Sequence, residues 1–279
     1  MSSFGFGFGL GITKKAGGVS YDADASAFFT AASITDTTQK SAVNQLVLDL
    51  KSYGIWTKCS AIYPIVGGTA TSHKFNLKNP ADTNAAFRLT FSTGWTHSST
   101  GMTPNGTSAY ADTFISPSVS LTLNNQHLSY YSRTSAMQMT VNYIMGSYNG
   151  GGTNAFALAI SQSGTTAVSL INSTNSGSYA FLNHSNQSGL WMGNRTNSTA
   201  NTHKLWKNGI NVGSTPTSTQ GSLLSNTIWL GGLPNPPLAG YFGNAQCAFA
   251  SIGSGLTDTE AANFYTAVQA MQTTLSRNV

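Results

Sequence analysis

The sequence predicts a mainly β protein. It reads as a sandwich of two antiparallel sheets, entered through an N-terminal helical segment and closed by a C-terminal helix. Three observations carry this. First, strand-like runs recur at Ala85–Phe91, Tyr110–Ile115, His127–Arg133, Met137–Gly146, Phe156–Ser161, Ala167–Asn172, Tyr179–Leu182 and Gly189–Gly193. Gly, Asn, Ser or Pro separates most of them, the pattern of short strands in a sandwich. Second, Lys204–Gly213 reads as two strands around Asn208-Gly209, a pair favoured in tight hairpins because both central residues of a type I′ turn need positive φ. Third, helical periodicity is confined to 22–53 and to the stretch after Thr257.

In chain order, Phe4, Phe6, Phe8 and Leu10 alternate with Gly5, Gly7, Gly9 and Gly11. An extended chain puts all four apolar groups on one side, so residues 1–20 are expected to form a docking arm that orders against a partner. The next segment, 21–58, is helical. Asp22 or Asp24 caps a short helix carrying Phe28, Phe29 and Ala32. Asp36 with Gln39 makes a capping-box pattern ahead of Val43, Leu46, Val47 and Leu50. Gly54 stands where a terminating glycine belongs. The sandwich then occupies 59–279. Ile228–Gly232 and Phe249–Gly253 are its late strands. Thr257 and Glu260 form a second capping box, followed by Ala261, Phe264, Tyr265, Val268 and Met271 at helical spacing.

Only 8% of the 279 residues are charged, against roughly 25% in average domains. Asn, Ser, Thr and Gly replace them, which suits an exported or particle-borne protein. The net charge of +5 comes from 13 scattered Lys and Arg, so no dense basic patch forms and nucleic acid is not an expected partner. No run approaches the ~20 apolar residues of a membrane helix, and the N-terminus lacks the order of a secretory signal. Cys59 and Cys247 are read as two buried thiols rather than a bridge.

The late string Lys204–Gly213, Ile228–Gly232, Phe249–Gly253 and Leu256–Glu260 resembles the end of the concanavalin A-like lectin/glucanase fold in its laminin G-like form. That resemblance implies a two-sheet jelly-roll sandwich. A second string, Gln45–Trp56, Ala61–Gly68, His73–Lys78 and Gly94–His97, resembles a group of tailed-phage virion structural or tail-associated proteins. It implies a virion location, with other virion proteins or copies of the chain as partners.

Chemistry is constrained by how little acid there is. Hydrolases of the laminarinase type resemble one another in a Glu-x-Asp-x-x-Glu strand motif whose carboxylates lie roughly 5 Å apart. This chain has one glutamate, Glu260, already used in a cap, and none of its seven aspartates recurs at i, i+2 on a strand. No catalytic residue is therefore assigned. His73, His97, His127, His184 and His203 are too scattered for a metal centre. A structural calcium would have to draw on Asp112 and loop asparagines, so neither metal nor cofactor is expected. No nucleophile elbow or phosphate loop appears in the context that would support one.

Sugar binding needs less: an aromatic face to stack on a pyranose and a few neutral donors and acceptors. The candidates are Trp95 with His97 in a polar loop, Tyr148 beside the loop 149–152, and Trp191 with Asn194. Trp206 and Trp229 read as core, and Trp56 as packing the helices onto the sandwich. The expected function is a non-enzymatic virion structural protein that displays a lectin-like domain and adheres weakly to a cell-surface glycan. The alternatives are a glycan-cleaving enzyme of unusual catalytic set and a free lectin. Far-UV circular dichroism should show a dominant β signal with a minor helical part; a majority-helix spectrum is incompatible with this reading.

Overall fold

The computed structural model describes residues 1, 20–136, 142–150, 154–173, 179–215, 221–236 and 238–279. The arm residues Phe4, Phe6, Phe8 and Leu10 lie outside the described residues.

Two helices open the described chain, α1 (Ala23–Ala31) and α2 (Thr37–Ser52). Asp22 caps α1 by accepting from the Asp24 N–H. Asp36 caps α2 by accepting from Gln39 N–H at 2.7 Å. The expected reciprocal half of that box is absent. Gln39 Oε1 instead accepts from Gly67 N–H at 2.8 Å, which ties the start of α2 to the loop beyond the first strand. The helix ends at Tyr53, and Gly54 follows at φ 71°.

The short helices α3 (Ala70–His73) and α4 (Pro117–Ser120) interrupt the strand region, and α5 (Asp258–Thr274) closes it. In chain order the strands are β1 (Cys59–Tyr63), β2 (Thr90–Phe91), β3 (Trp95–Ser98), β4 (Gly101–Pro104), β5 (Ala111–Asp112) and β6 (Gln126–Ser132). They continue with β7 (Asn142–Tyr148), β8 (Ala155–Ser163), β9 (Thr166–Ser173), β10 (Ala180–Asn183), β11 (Gly189–Arg195) and β12 (His203–Lys207). The last are β13 (Ile210–Ser214), β14 (Trp229–Leu230), β15 (Gly232–Asn235), β16 (Leu238–Phe242) and β17 (Cys247–Gly253).

The eight-stranded sheet runs β13-β12-β11-β6-β17-β4-β3, with β1 also paired to β17. The seven-stranded sheet runs β10-β9-β8-β7-β14-β5-β2. All the pairings are antiparallel. Strand alternation then decides what each face meets. On the eight-stranded sheet, Leu128, Tyr130, Trp191, Leu205, Ala250 and Ile252 point inward, against Phe156, Leu158, Ile160 and Ile171 of the other sheet. Tyr131, Leu190, Met192, Trp206 and Phe249 point the opposite way, beneath α1, α2 and α5. The helices contribute Phe28, Val43, Leu46, Phe264 and Val268 to that second core. Both sides of this sheet are thus buried. The hairpin β15-β16 is separate and packs across β7 on the outside of the seven-stranded sheet.

The predicted hairpin forms at Asn208-Gly209, with φ of 50° and 74° as a type I′ turn requires. Other local expectations give way to longer-range hydrogen bonds. The expected strand at Ala85–Phe91 survives only as β2. Its first part is a 3₁₀ turn ending in left-handed Phe87. Tyr63 Oη donates to the Phe87 carbonyl at 2.6 Å, and Asn76 Nδ2 to that of Ala86 at 3.1 Å. The Tyr110–Ile115 run shortens to β5, because the Asp112 carboxylate accepts from Phe114 N–H and bends the chain into a left-handed residue. Trp95 and His97, expected in a loop, stand on β3.

Cys59 and Cys247 are buried and free, and burial pushes both thiols up to about 12. The C-terminus is pinned by Arg277, which is 2% exposed and donates to the carbonyls of Ile65, Pro64 and Ala248 and to Gln272 Oε1. The Thr257–Glu260 capping box is complete, with Glu260 also held by Lys58 at 2.6 Å. Thr257→Ala is expected to lower stability by about 1 kcal/mol, measured as a shift in the denaturant midpoint; an unchanged midpoint would remove that cap from the account.

Candidate functional site

Among the described residues no helix covers the outer face of the seven-stranded sheet, which the β15-β16 hairpin crosses at β7. Ile228, just before β14, and Trp229-Leu230 of the strand alternate. Ile228 and Leu230 are fully buried, and Trp229 is half-buried on the opposite side. The indole stacks on Tyr110, with ring centres 3.8 Å apart and planes 14° from parallel. The hairpin comes close beside it: a Cβ on Gly240 would lie 3.1 Å from the Trp229 ring, so the absent side chain is what lets β16 approach. The next residue, Tyr241, is 41% exposed. Its ring centre lies 5.6 Å from that of Tyr143 and 6.5 Å from that of Tyr148, both on β7. The Tyr110–Trp229 stack at β5 and β14 and the Tyr241–Tyr143–Tyr148 group on β16 and β7 thus come side by side at Gly240 as an aromatic patch, with Tyr143 at its buried base at 9% exposed.

Neutral amides frame the patch. Gln162 Nε2 donates to Tyr143 Oη at 3.5 Å, and Asn226 Nδ2 donates to the Tyr148 carbonyl at 2.7 Å. Ser147 Oγ in turn donates to the Asn226 carbonyl. Burial pushes the Tyr143 hydroxyl up, so it remains protonated and can donate. The nearest acid is Asp112, opposite Trp229 in register. The other seven carboxylates are engaged elsewhere: Asp22 and Asp24 with Lys51, Asp82 with Lys74 and Arg88, Asp258 with Lys204, Glu260 with Lys58, Asp36 as a cap and Asp49 with Gln45. Asp112 itself accepts from Phe114 N–H, so no two carboxylates come together at these rings.

Of the residues singled out from sequence, Tyr148 alone lies in this patch. Trp95 and His97 form a second cluster where the two sheets' short edge strands meet. Phe91 of β2 packs edge-on to Trp95 at 5.7 Å and to His97 at 4.7 Å. Trp95 also lies against Gly231 and Pro104, and its Nε1 is buried without a partner among the described residues. His97 Nδ1 is 2.9 Å from His73 Nδ1. His73 Nε2 accepts from Gly68 N–H, so its proton sits on Nδ1 and is donated to His97. His97 then carries its proton on Nε2. Burial lowers both imidazoles, that of His73 to about 3. Both Trp95 and His97 are half-buried in this cluster.

Trp191 and Asn194 are corrected outright. Trp191 is fully buried between the sheets, with Nε1 donating to the Gln187 carbonyl at 2.9 Å. Asn194 is 1% exposed, and its amide makes both bonds to the backbone of Leu256, clamping the link between β17 and α5. Neither can touch a glycan. Trp206 is core as expected, at 5% exposed, but Trp229 is not. Tyr110, Tyr143, Trp229 and Tyr241 escaped the sequence reading. Period-2 alternation around Trp229 was the one available signal.

No family model matches the chain, and no curated protein matches it. Solved structures do match. The botulinum neurotoxin serotype D binding domain aligns with a TM-score of 0.50 at 9% identity, over 76% of this chain and 52% of that one. A botulinum neurotoxin type C structure, whose cell entry is described as dependent on interaction with two ganglioside molecules, gives 0.48 at 10%, over 78% and 53%. Domain 4 of an extracellular arabinanase from Geobacillus stearothermophilus, in complex with arabinotriose, gives 0.43 at 13%, over 74% and 98%. The chain spans about half the length of the neurotoxin structures. The fold is a two-sheet antiparallel β-sandwich.

Burial lowers His127 to about 4 and His203 to about 3, alongside His73. Below the ordinary value of 6.5 the unfolded chain takes up protons that the folded chain refuses. Stability should therefore be level above about pH 6.5 and fall between there and pH 4, by up to about 1.4 kcal/mol per histidine per pH unit. Urea unfolding across that range tests this; a flat profile would contradict the neutral, buried imidazoles.

Proposed function

We propose that this protein is a non-enzymatic, lectin-like binding module that holds a neutral glycan on the aromatic patch of its seven-stranded sheet. The observation that carries the reading is the exposed Tyr241 ring, set among Tyr143, Tyr148 and the Trp229–Tyr110 stack with neutral amides at its border. Aromatic faces stack on the apolar faces of sugar rings, and uncharged donors and acceptors fix hydroxyls without paying for a buried charge. The solved structure at TM-score 0.50 is a binding domain, which supports binding rather than catalysis.

The resemblance to tailed-phage proteins supports a further part of the proposal. The module would be displayed on a virion, attached to a neighbouring copy or to another virion protein through the Gly/Phe arm, with a cell-surface glycan as its ligand. The sparse charge of the surface suits such a setting. Mass spectrometry of purified particles tests the location.

Isothermal titration against a panel of neutral oligosaccharides tests the binding. Tyr241→Ala should weaken it about tenfold, roughly 1.4 kcal/mol, without changing the melting temperature, because the ring is exposed. Unchanged affinity in that variant, or no binding across the panel, would overturn the assignment. Asp112→Asn should leave glycan-related activity intact. A large loss of polysaccharide cleavage in that variant would instead establish the enzymatic alternative.

A further inference from the structure

The two sheets end together on one side of the sandwich. Among the described residues β13 pairs only with β12, and β10 only with β9. The two edge strands lie against each other, since a side chain on Gly213 of β13 would run into the backbone of Phe181 on β10. A free strand edge is a template for another strand, and this one also exposes an apolar side chain, Ile210, at 66%. Phe181 of β10, opposite Val168 and beside Tyr179, turns to the outer face of the seven-stranded sheet instead. The opposite edge differs: Trp95 and His97 of β3 are packed by Phe91, and no large exposed apolar residue stands on that strand.

The sequence supplies a matching strand. If residues 4–10 extend, Phe4, Phe6, Phe8 and Leu10 would fall on one side, and Gly5, Gly7 and Gly9 would leave the other bare for close backbone approach. The segment's own chain enters the helical layer far from β13. Asp22 is bonded to Lys51, which lies over the ring of Trp56, and Trp56 leads directly into β1. Counting through β12, β11, β6 and β17, β1 stands five strand spacings from β13, about 24 Å. The helical layer adds roughly 10 Å of depth. The roughly nine residues from 11 to 19 reach at most about 30 Å fully stretched. Docking on the same molecule would need a taut linker, whereas a second molecule imposes no such limit.

We propose that residues 4–10 of one copy add as a strand to the β13 edge of a second copy, covering Ile210. This deepens the attachment reading above by naming the partner, and it is independent of glycan binding. One arm and one edge per chain make a head-to-tail contact, so association closes into a ring or continues as a chain of copies.

Sedimentation velocity of the full-length protein over a concentration series is the test. Wild type should associate, with the average mass rising with concentration. Deleting residues 2–12 should leave a monomer, and so should the edge variant Ile210→Lys, both with unchanged circular dichroism. Mixing the two variants restores one intact edge and one intact arm, and should yield a heterodimer that neither forms alone. A monomeric wild type, association that survives either variant, or a mixture that stays monomeric overturns the proposal. Titrating the monomeric variants with the glycan identified above separates the two readings: unchanged affinity there shows that the edge and the aromatic patch act apart, while loss of affinity in both variants would make the edge part of the glycan site and overturn the proposal.

Discussion

Both faces of the eight-stranded sheet are buried, and most of the architecture follows from that. A sheet with apolar groups on alternate sides needs a cover on each, so one side takes the second sheet and the other takes α1, α2 and α5. Tyr130 and Tyr131 state the constraint in two consecutive residues: both are fully buried, one between the sheets and one beneath the helices. Leu190, Trp191 and Met192 repeat it on β11. Its central strands β6, β11 and β17 are buried along their whole length. Contact with other molecules is left to loops, to strand edges and to the outer face of the smaller sheet.

The devices that hold the helical layer in place are polar and few. Asn194 clamps Leu256, Gln39 holds Gly67, and Arg277 gathers three carbonyls and an amide. Arg277 keeps its charge, although burial lowers it to about 10, and no carboxylate neutralises it by an ion pair. A protein with so few acids stabilises a buried cation with backbone dipoles instead. The same scarcity leaves the aromatic patch without the two carboxylates that glycoside hydrolysis requires.

The parts of this fold that the sequence made legible are those governed by neighbours in the chain. The Asn208-Gly209 turn, the caps at Asp22, Asp36 and Thr257, and the end of α2 at Gly54 depend on residues within a few positions of each other. The misreadings share a different cause. Phe87 turns left-handed because Tyr63 and Asn76 reach it from elsewhere in the fold, and Gln39 leaves its capping box for Gly67. Trp191 and Trp229 look alike in sequence, each a tryptophan between apolar neighbours. Which one faces solvent is decided by the side of its sheet to which it points, inward for Trp191 and outward for Trp229, a choice no local pattern carries. The patch itself is assembled from four separated stretches, and a hairpin folded across the sheet completes it.

That hairpin closes on itself at its base, where Gly243 N–H donates to the Gly231 carbonyl at 2.9 Å. Leu233 packs it onto the sheet, and Tyr241 rides on its outer strand. Neither β15 nor β16 pairs with a strand of either large sheet. Changes in its sequence or length are therefore insulated from the sandwich core. Selection can retune what the surface grips by rewriting this one segment, much as an interchangeable tool head is swapped on a fixed handle.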